Sequence, residues 1–138
     1  MIHTEKHVLL SDGKFQVFNV TELARTAVRS GGIREGSVLV YYGHTTGAVI
    51  ILEHEAGVMV DLEDALAQIA PPAKEYRHHL RGWDANGAAH ICSAILGSSV
   101  TVPVLDGVLM LGGFQEILVV DMEPSGKPRT FVIQVAGE

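Results

Sequence analysis

Apolar residues along this chain fall mostly in short continuous runs, and only three stretches show the wider spacing of an amphipathic helix. His7–Leu10 and Phe15–Asn19 flank Ser11-Asp12-Gly13-Lys14, and Asp-Gly favours the positive φ angles of a tight hairpin. Val38–Tyr42 and Ala48–Leu52 read as two buried strands separated by Gly43-His44-Thr45-Thr46-Gly47. Further strands are expected at Val100–Val104, Val108–Leu111, Ile117–Asp121 and Thr130–Val135, with turns at Asp106-Gly107 and at Pro124-Ser125-Gly126-Lys127-Pro128.

The helical stretches are fewer than the strands. Thr21 is placed to cap a helix to about Ser30, with Leu23, Ala27 and Val28 on one face and Gly31-Gly32 as its stop. Leu62, Ala65, Leu66 and Ile69 recur at helical spacing between about Val58 and Ala70, where Pro71-Pro72 ends the run. After the irregular stretch Ala73–Gly87, Ile91 and Ile95 mark a third helix over roughly Ala88–Leu96, closed by Gly97. Strands outnumber helices and do not alternate with them regularly. The expected class is therefore α+β, a mainly antiparallel sheet with about three helices on one face.

Length and composition narrow this picture. At 138 residues the chain, 1–138, is expected to form a single domain around one core. Hydrophobic residues make up 47%, enough to predict an apolar surface that a homo-oligomer covers. No apolar run approaches the ~20 residues of a membrane helix, so no membrane partner is expected. Met1–Lys6 leads into a strand with no long apolar region, unlike a signal peptide. The net charge of −6 repels polyanions, which argues against a nucleic-acid partner. Cys92 is the only cysteine, so no intrachain disulfide is possible and a reducing, cytoplasmic location is expected.

Candidate chemistry rests on the histidines. His44 sits in a glycine-flanked loop between buried strands, with the Thr45 and Thr46 hydroxyls beside it; a plain hairpin turn is the competing reading. Tyr76-Arg77-His78 and Asp84-Ala85-Asn86-Gly87-Ala88-Ala89-His90 gather two imidazoles, a carboxylate and a guanidinium in a mostly irregular stretch. Asp84 fits equally a helix cap or a site carboxylate, and no His-Glu-x-x-His or Cys-x-x-Cys pattern singles out zinc. Glu53, Glu55 and Asp61 follow the second strand, while Arg77, Arg81 and Lys74 are the cations nearest to hand for an anionic substrate. His3 and His7, on a terminal strand, are read as solvated or structural, and Cys92 as a small core residue.

Five ordered motifs resemble the YjbQ-like family, also described as secondary thiamine-phosphate synthases. They are Gly43-His44-Thr45-Thr46 with Glu53; Tyr76-Arg77-His78; Asp84-x-Asn86-Gly87-x-x-His90-Ile91; Leu96-Gly97-Ser98-Ser99-x-Thr101-x-Pro103 with Gly107-x-Leu109; and Leu111-Gly112-Gly113-Phe114-Gln115-Glu116-Ile117. The resemblance implies a homotrimer of α+β subunits whose histidine pocket holds a divalent cation: zinc, magnesium or manganese. It implies His44, His78 and His90 as metal-site residues, with Asp84, His90 and Arg77 in catalysis. Thr45, Thr46, Glu53, Arg81 and Gln115 would contact a small phosphorylated substrate. A non-catalytic trimeric module that binds a metal or small anion is the alternative. Many relatives carry histidine where Ala88 stands and tryptophan where Phe114 stands, and Cys92 and His54 also depart from the usual pattern.

Overall fold

The computed structural model describes residues 1–82 and 84–138; position 83 of the expected irregular stretch lies outside the described residues. The strands are β1 (Ile2–Leu10), β2 (Gln16–Asn19), β3 (Gly36–Tyr41), β4 (Gly47–Leu52), β5 (Ser99–Leu105), β6 (Val108–Leu109), β7 (Glu116–Asp121) and β8 (Pro128–Gly137). Three α-helices, α1 (Thr21–Gly31), α2 (Ala56–Ile69) and α3 (Gly87–Leu96), and a 3-10 turn over Arg77–Arg81 complete the order. Every pairing is antiparallel, as expected of the α+β class. The strands form two sheets, however: one of order β1-β8-β3-β5-β6 and a smaller one of order β2-β7-β4.

That division corrects the expected opening hairpin and also removes the competing hairpin reading of the His44 loop. β1 pairs with β8 and β2 with β7, so the Asp12-Gly13 turn carries the chain from one sheet to the other. Likewise β3 and β4 lie in different sheets, and the loop holding His44 bridges them. Local turn chemistry sets a reversal of direction, whereas the buried face of each strand decides which neighbour it takes. Among the described residues only Asp106-Gly107 closes a hairpin of consecutive strands, β5 to β6, with both residues at positive φ.

Both sheets bury one face in a shared core. Val38, Val40, Ile133 and Val135 of the large sheet and Val49, Ile117 and Val119 of the small one belong to a single buried cluster, with Ala24, Ala27 and Val28 of α1. α1 ends where Gly32 takes the left-handed conformation, its N–H bonding the Arg29 carbonyl. At its start Thr21 is not the cap: Val20 holds that position with no side-chain cap bond, and Asn19 Oδ1, one residue earlier, accepts from the Thr21 N–H at 3.1 Å. Glu55 caps α2 by accepting from the Gly57 and Val58 N–H groups at 2.8 Å. α2 and α3 meet in a second cluster of Leu66, Ala70 and Cys92, so Cys92 is a core residue as expected. Among the described residues no helix is long and apolar enough to cross a membrane.

Strand β1 carries a contact the sequence reading missed. His3, Glu5 and His7 share the inward face, and Glu5 accepts from His3 Nε2 at 2.7 Å and from His7 Nε2 at 3.0 Å. His7 also stacks on Phe131, with ring centroids 5.1 Å apart. Two residues apart on a strand means the same face, so Glu5 is the acidic companion of both histidines. The His3 hydrogen bond, against some burial and with help from His7, holds the Glu5 carboxyl below its usual range. A carboxylate depressed on folding contributes stability above its unfolded pKa and loses it as pH falls through the folded value. In urea titrations the wild type should therefore exceed Glu5→Gln in stability above about pH 5, the difference shrinking below about pH 4. A difference independent of pH over that range would show that Glu5 contributes nothing through its charge.

Candidate active site

The loop between β3 and β4 is anchored from beneath by a buried polar network. Asp121, fully buried at the end of β7, faces Arg129 at the start of β8, 4% exposed; Arg129 Nε lies 3.0 Å from Asp121 Oδ1. The Tyr42 hydroxyl donates to Asp121 Oδ1 at 2.8 Å and accepts from Arg129 Nε at 3.1 Å, while the Ser11 hydroxyl donates to Asp121 Oδ2. Arg129 Nη2 donates to Thr46 Oγ1 at 2.7 Å, and Thr46 donates to Glu123 Oε2 at 2.9 Å. Burial, the largest influence, pushes the Tyr42 phenol above its ordinary range, so it stays a neutral donor. Gly47 is required here, because a side chain at this position would overlap the Tyr42 ring.

Above this floor the three histidines come to one cavity. A space of about 470 Å³ is lined by His44, Thr45, Thr46, His78, Arg81, Asp84, Asn86, His90, Glu123, Lys127 and Arg129. His44 stands edge-on to Tyr42 at 4.6 Å between centroids, with Nε2 3.1 Å from both the nitrogen and the oxygen of Thr130. Burial, then the Arg129 charge, holds its imidazole below the usual histidine range, so it is neutral at pH 7.

His90 and His78 are oriented by the groups behind them. His90 Nδ1 lies 2.9 Å from the Thr45 carbonyl, which can only accept, so Nδ1 carries the proton and Nε2 keeps its lone pair in the neutral ring. His78 Nε2 lies 2.9 Å from Asp84 Oδ1 and 3.1 Å from Asn86 Oδ1, which puts its proton on Nε2 and its lone pair on Nδ1. The two rings meet edge to face, centroids 4.7 Å apart. Asp84 is thus a histidine partner, and neither it nor Asn86 caps α3 through its side chain. Among the described residues no three His, Cys, Asp or Glu side chains form a group that could hold a metal ion.

Other expected residues are distributed unevenly. Arg77 lines an adjoining cavity of about 620 Å³ with Lys74 and Tyr76, and Thr45, His78 and His90 belong to both walls. The Thr46 hydroxyl is engaged in the network below. Glu53 and Gln115 are exposed beyond the far end of β4, where Leu52 pairs with Glu116, roughly 20 Å along the strand from the His44 loop. Within one copy they do not reach this cavity. The sequence reading missed Asp121, Glu123, Lys127 and Arg129. The signal lay in phase: Arg129 alternates with Phe131, Ile133 and Val135 on the core face of β8, where a charge needs a partner.

Removing one member of a buried pair strands the other. Asp121→Ala should cost about 3–5 kcal/mol in urea unfolding, whereas Asp84→Ala, at a half-exposed ion pair, should cost under about 1 kcal/mol. Equal losses would show that the buried pair does not anchor the fold.

Comparison with known proteins agrees with this architecture. A protein of Archaeoglobus fulgidus is 37% identical over 117 residues, 85% of this chain and 86% of its own length. A Methanothermobacter thermautotrophicus protein is 29% identical over 99% of this chain and 94% of its own; both are described as UPF0047 proteins. The crystal structure of a Sulfolobus solfataricus YbjQ-like protein of unknown function superposes with a TM-score of 0.95 at 26% identity, covering 100% of this chain and 99% of that one. A hypothetical protein of Aeropyrum pernix superposes at 0.89 with 32% identity and 98% of both chains covered. Residues 5–138 match the family model described as UPF0047 protein YjbQ-like, and the chain belongs to that family.

Proposed function

We propose that the chain is a metal-assisted enzyme acting on a small phosphorylated substrate, assembled as a homotrimer. The observation that carries this reading is the pair of preset imidazoles. His90 is held through Nδ1 by a backbone carbonyl and His78 through Nε2 by a carboxylate, the arrangement by which metal-binding histidines are oriented. His44, His78 and His90 each have one ring nitrogen engaged by protein; they do not form a metal-holding group as they stand, so holding the cation would require the three rings to close on it. A divalent ion there would supply charge stabilisation to a departing phosphate oxygen.

The specific reaction is the thiamine-phosphate synthase type. In it the thiazole nitrogen bonds to the pyrimidine methylene carbon, the C–O bond to the diphosphate breaks, and its electron pair leaves on pyrophosphate. Such a step needs oriented reactants and cationic donors at the leaving group. Arg77 and Lys74 line one side of the shared His78–His90 wall, and Arg81, Lys127 and Arg129 the other. Asp84 orients His78. The outer face of the large sheet leaves Ile2, Val8, Leu10, Tyr41, Leu105 and Val108 exposed, which supports self-association. Glu53 and Gln115 would then contribute from a neighbouring copy.

Turnover of the pyrimidine diphosphate with the thiazole phosphate, with zinc, magnesium or manganese supplied in turn, is the test. His90→Ala and Asp84→Ala should each lower it by about 100-fold or more without changing assembly. No turnover with any of these metals would transfer the reading to a metal- or anion-binding module. Light scattering should give three times the chain mass of 14.8 kDa, and a monomeric mass at micromolar concentration would reject the trimer.

A further inference from the structure

The guanidinium of Arg129 accounts for its donors unevenly. Nε serves Asp121 and Tyr42, and Nη2 serves Thr46. Nη1 lies 3.8 Å from Glu123 Oε2, beyond hydrogen-bond reach, and makes no hydrogen bond among the described residues. No described side-chain nitrogen or oxygen is both sealed from solvent and without a partner, so Nη1 is not fully sealed, and Arg129 is among the residues lining the cavity. A nearly buried arginine with one donor not spent on a hydrogen bond thus lies at the floor of a polar cavity. Lys127, exposed on the same wall, adds a second cation.

Glu123 stands beside them and decides which anion fits. Although its own burial works the other way, Thr46 and the Lys127 charge hold its carboxyl below the usual range, so it is ionised at neutral pH. Its Oε2 accepts from Thr46, whereas Oε1 has only a long 3.3 Å contact from Ser125. An anion without hydrogen can only accept, and so would meet the Glu123 carboxylate with like charge and no hydrogen bond between them. An oxyanion that keeps a proton can donate to Glu123 while accepting from Arg129 and Lys127.

We infer that Arg129, Lys127 and Glu123 form a seat for a protonated phosphate group, distinct from the cations beside Arg77. The seat deepens the proposed function, resting on its reading of a phosphorylated substrate: a phosphate monoester, with a second pKa of about 6, would lie on the floor beneath His44 as its protonated monoanion. It also predicts selectivity: inorganic phosphate carries a hydroxyl at neutral pH and sulfate does not.

Calorimetric titration of the metal-free protein with inorganic phosphate and with sulfate tests this directly. Phosphate should bind at least about tenfold more tightly, because sulfate leaves Glu123 facing an acceptor. Glu123→Gln should erase or invert that preference, since the carboxamide donates. Lys127→Ala, at an exposed position that leaves the fold intact, should weaken phosphate, and Lys6→Ala on the outer sheet face should not. Equal affinity for the two anions, or phosphate binding lost in Arg77→Ala and unchanged in Lys127→Ala, would overturn the seat. Phosphate preference without turnover would leave the seat standing and refute the transferase reading; turnover without the preference would do the reverse.

Discussion

The contact between Asp121 and Arg129 is the constraint on which the site depends. It joins the inner faces of the two sheets at one end of the core, where a guanidinium and a carboxylate are almost withdrawn from water. Desolvating both is costly, and the pair is tolerable because Tyr42, Ser11 and Thr46 complete its hydrogen bonding. The same partners fix the loop between β3 and β4. Tyr42 enters that loop and Thr46 leaves it, so both ends are pinned while His44 and Thr45 are turned toward the cavity.

From that loop the order passes to α3. The Thr45 carbonyl holds the His90 ring, and the Ser93 hydroxyl donates to the Gly47 carbonyl at 2.6 Å one turn further on. His78 arrives on the 3-10 turn, and its position is set by Asp84 and Asn86 just before α3 begins. Each imidazole is thus oriented by a group fixed to a different element. The arrangement lends itself to ligation or proton transfer because one nitrogen of each ring makes no structural hydrogen bond among the described residues.

Much of this was legible in the chain. The strand and helix positions followed from apolar runs and from the Gly32, Pro71 and Gly97 stops, and the histidines were marked by density and by their glycine-rich surroundings. Sheet membership was not, because a four-residue turn looks the same whether it closes a hairpin or crosses between sheets. The floor of the cavity was hidden for another reason. Asp121 ends an otherwise apolar strand and Arg129 follows a turn, so each passes for a boundary residue until alternation along β8 places Arg129 inward. Glu5 was overlooked between His3 and His7, although a spacing of two on a strand puts all three on one face.

The central claim is that the protein fixes the proton positions of His78 and His90 before any ligand arrives. Nitrogen-15 correlation spectra of the histidine rings in the metal-free protein, near neutral pH, measure those positions directly. His90 should be the Nδ1–H tautomer, held by the Thr45 carbonyl, and His78 the Nε2–H tautomer, held by Asp84. Rapid averaging between tautomers at both rings, or the opposite tautomer at either, would contradict the account.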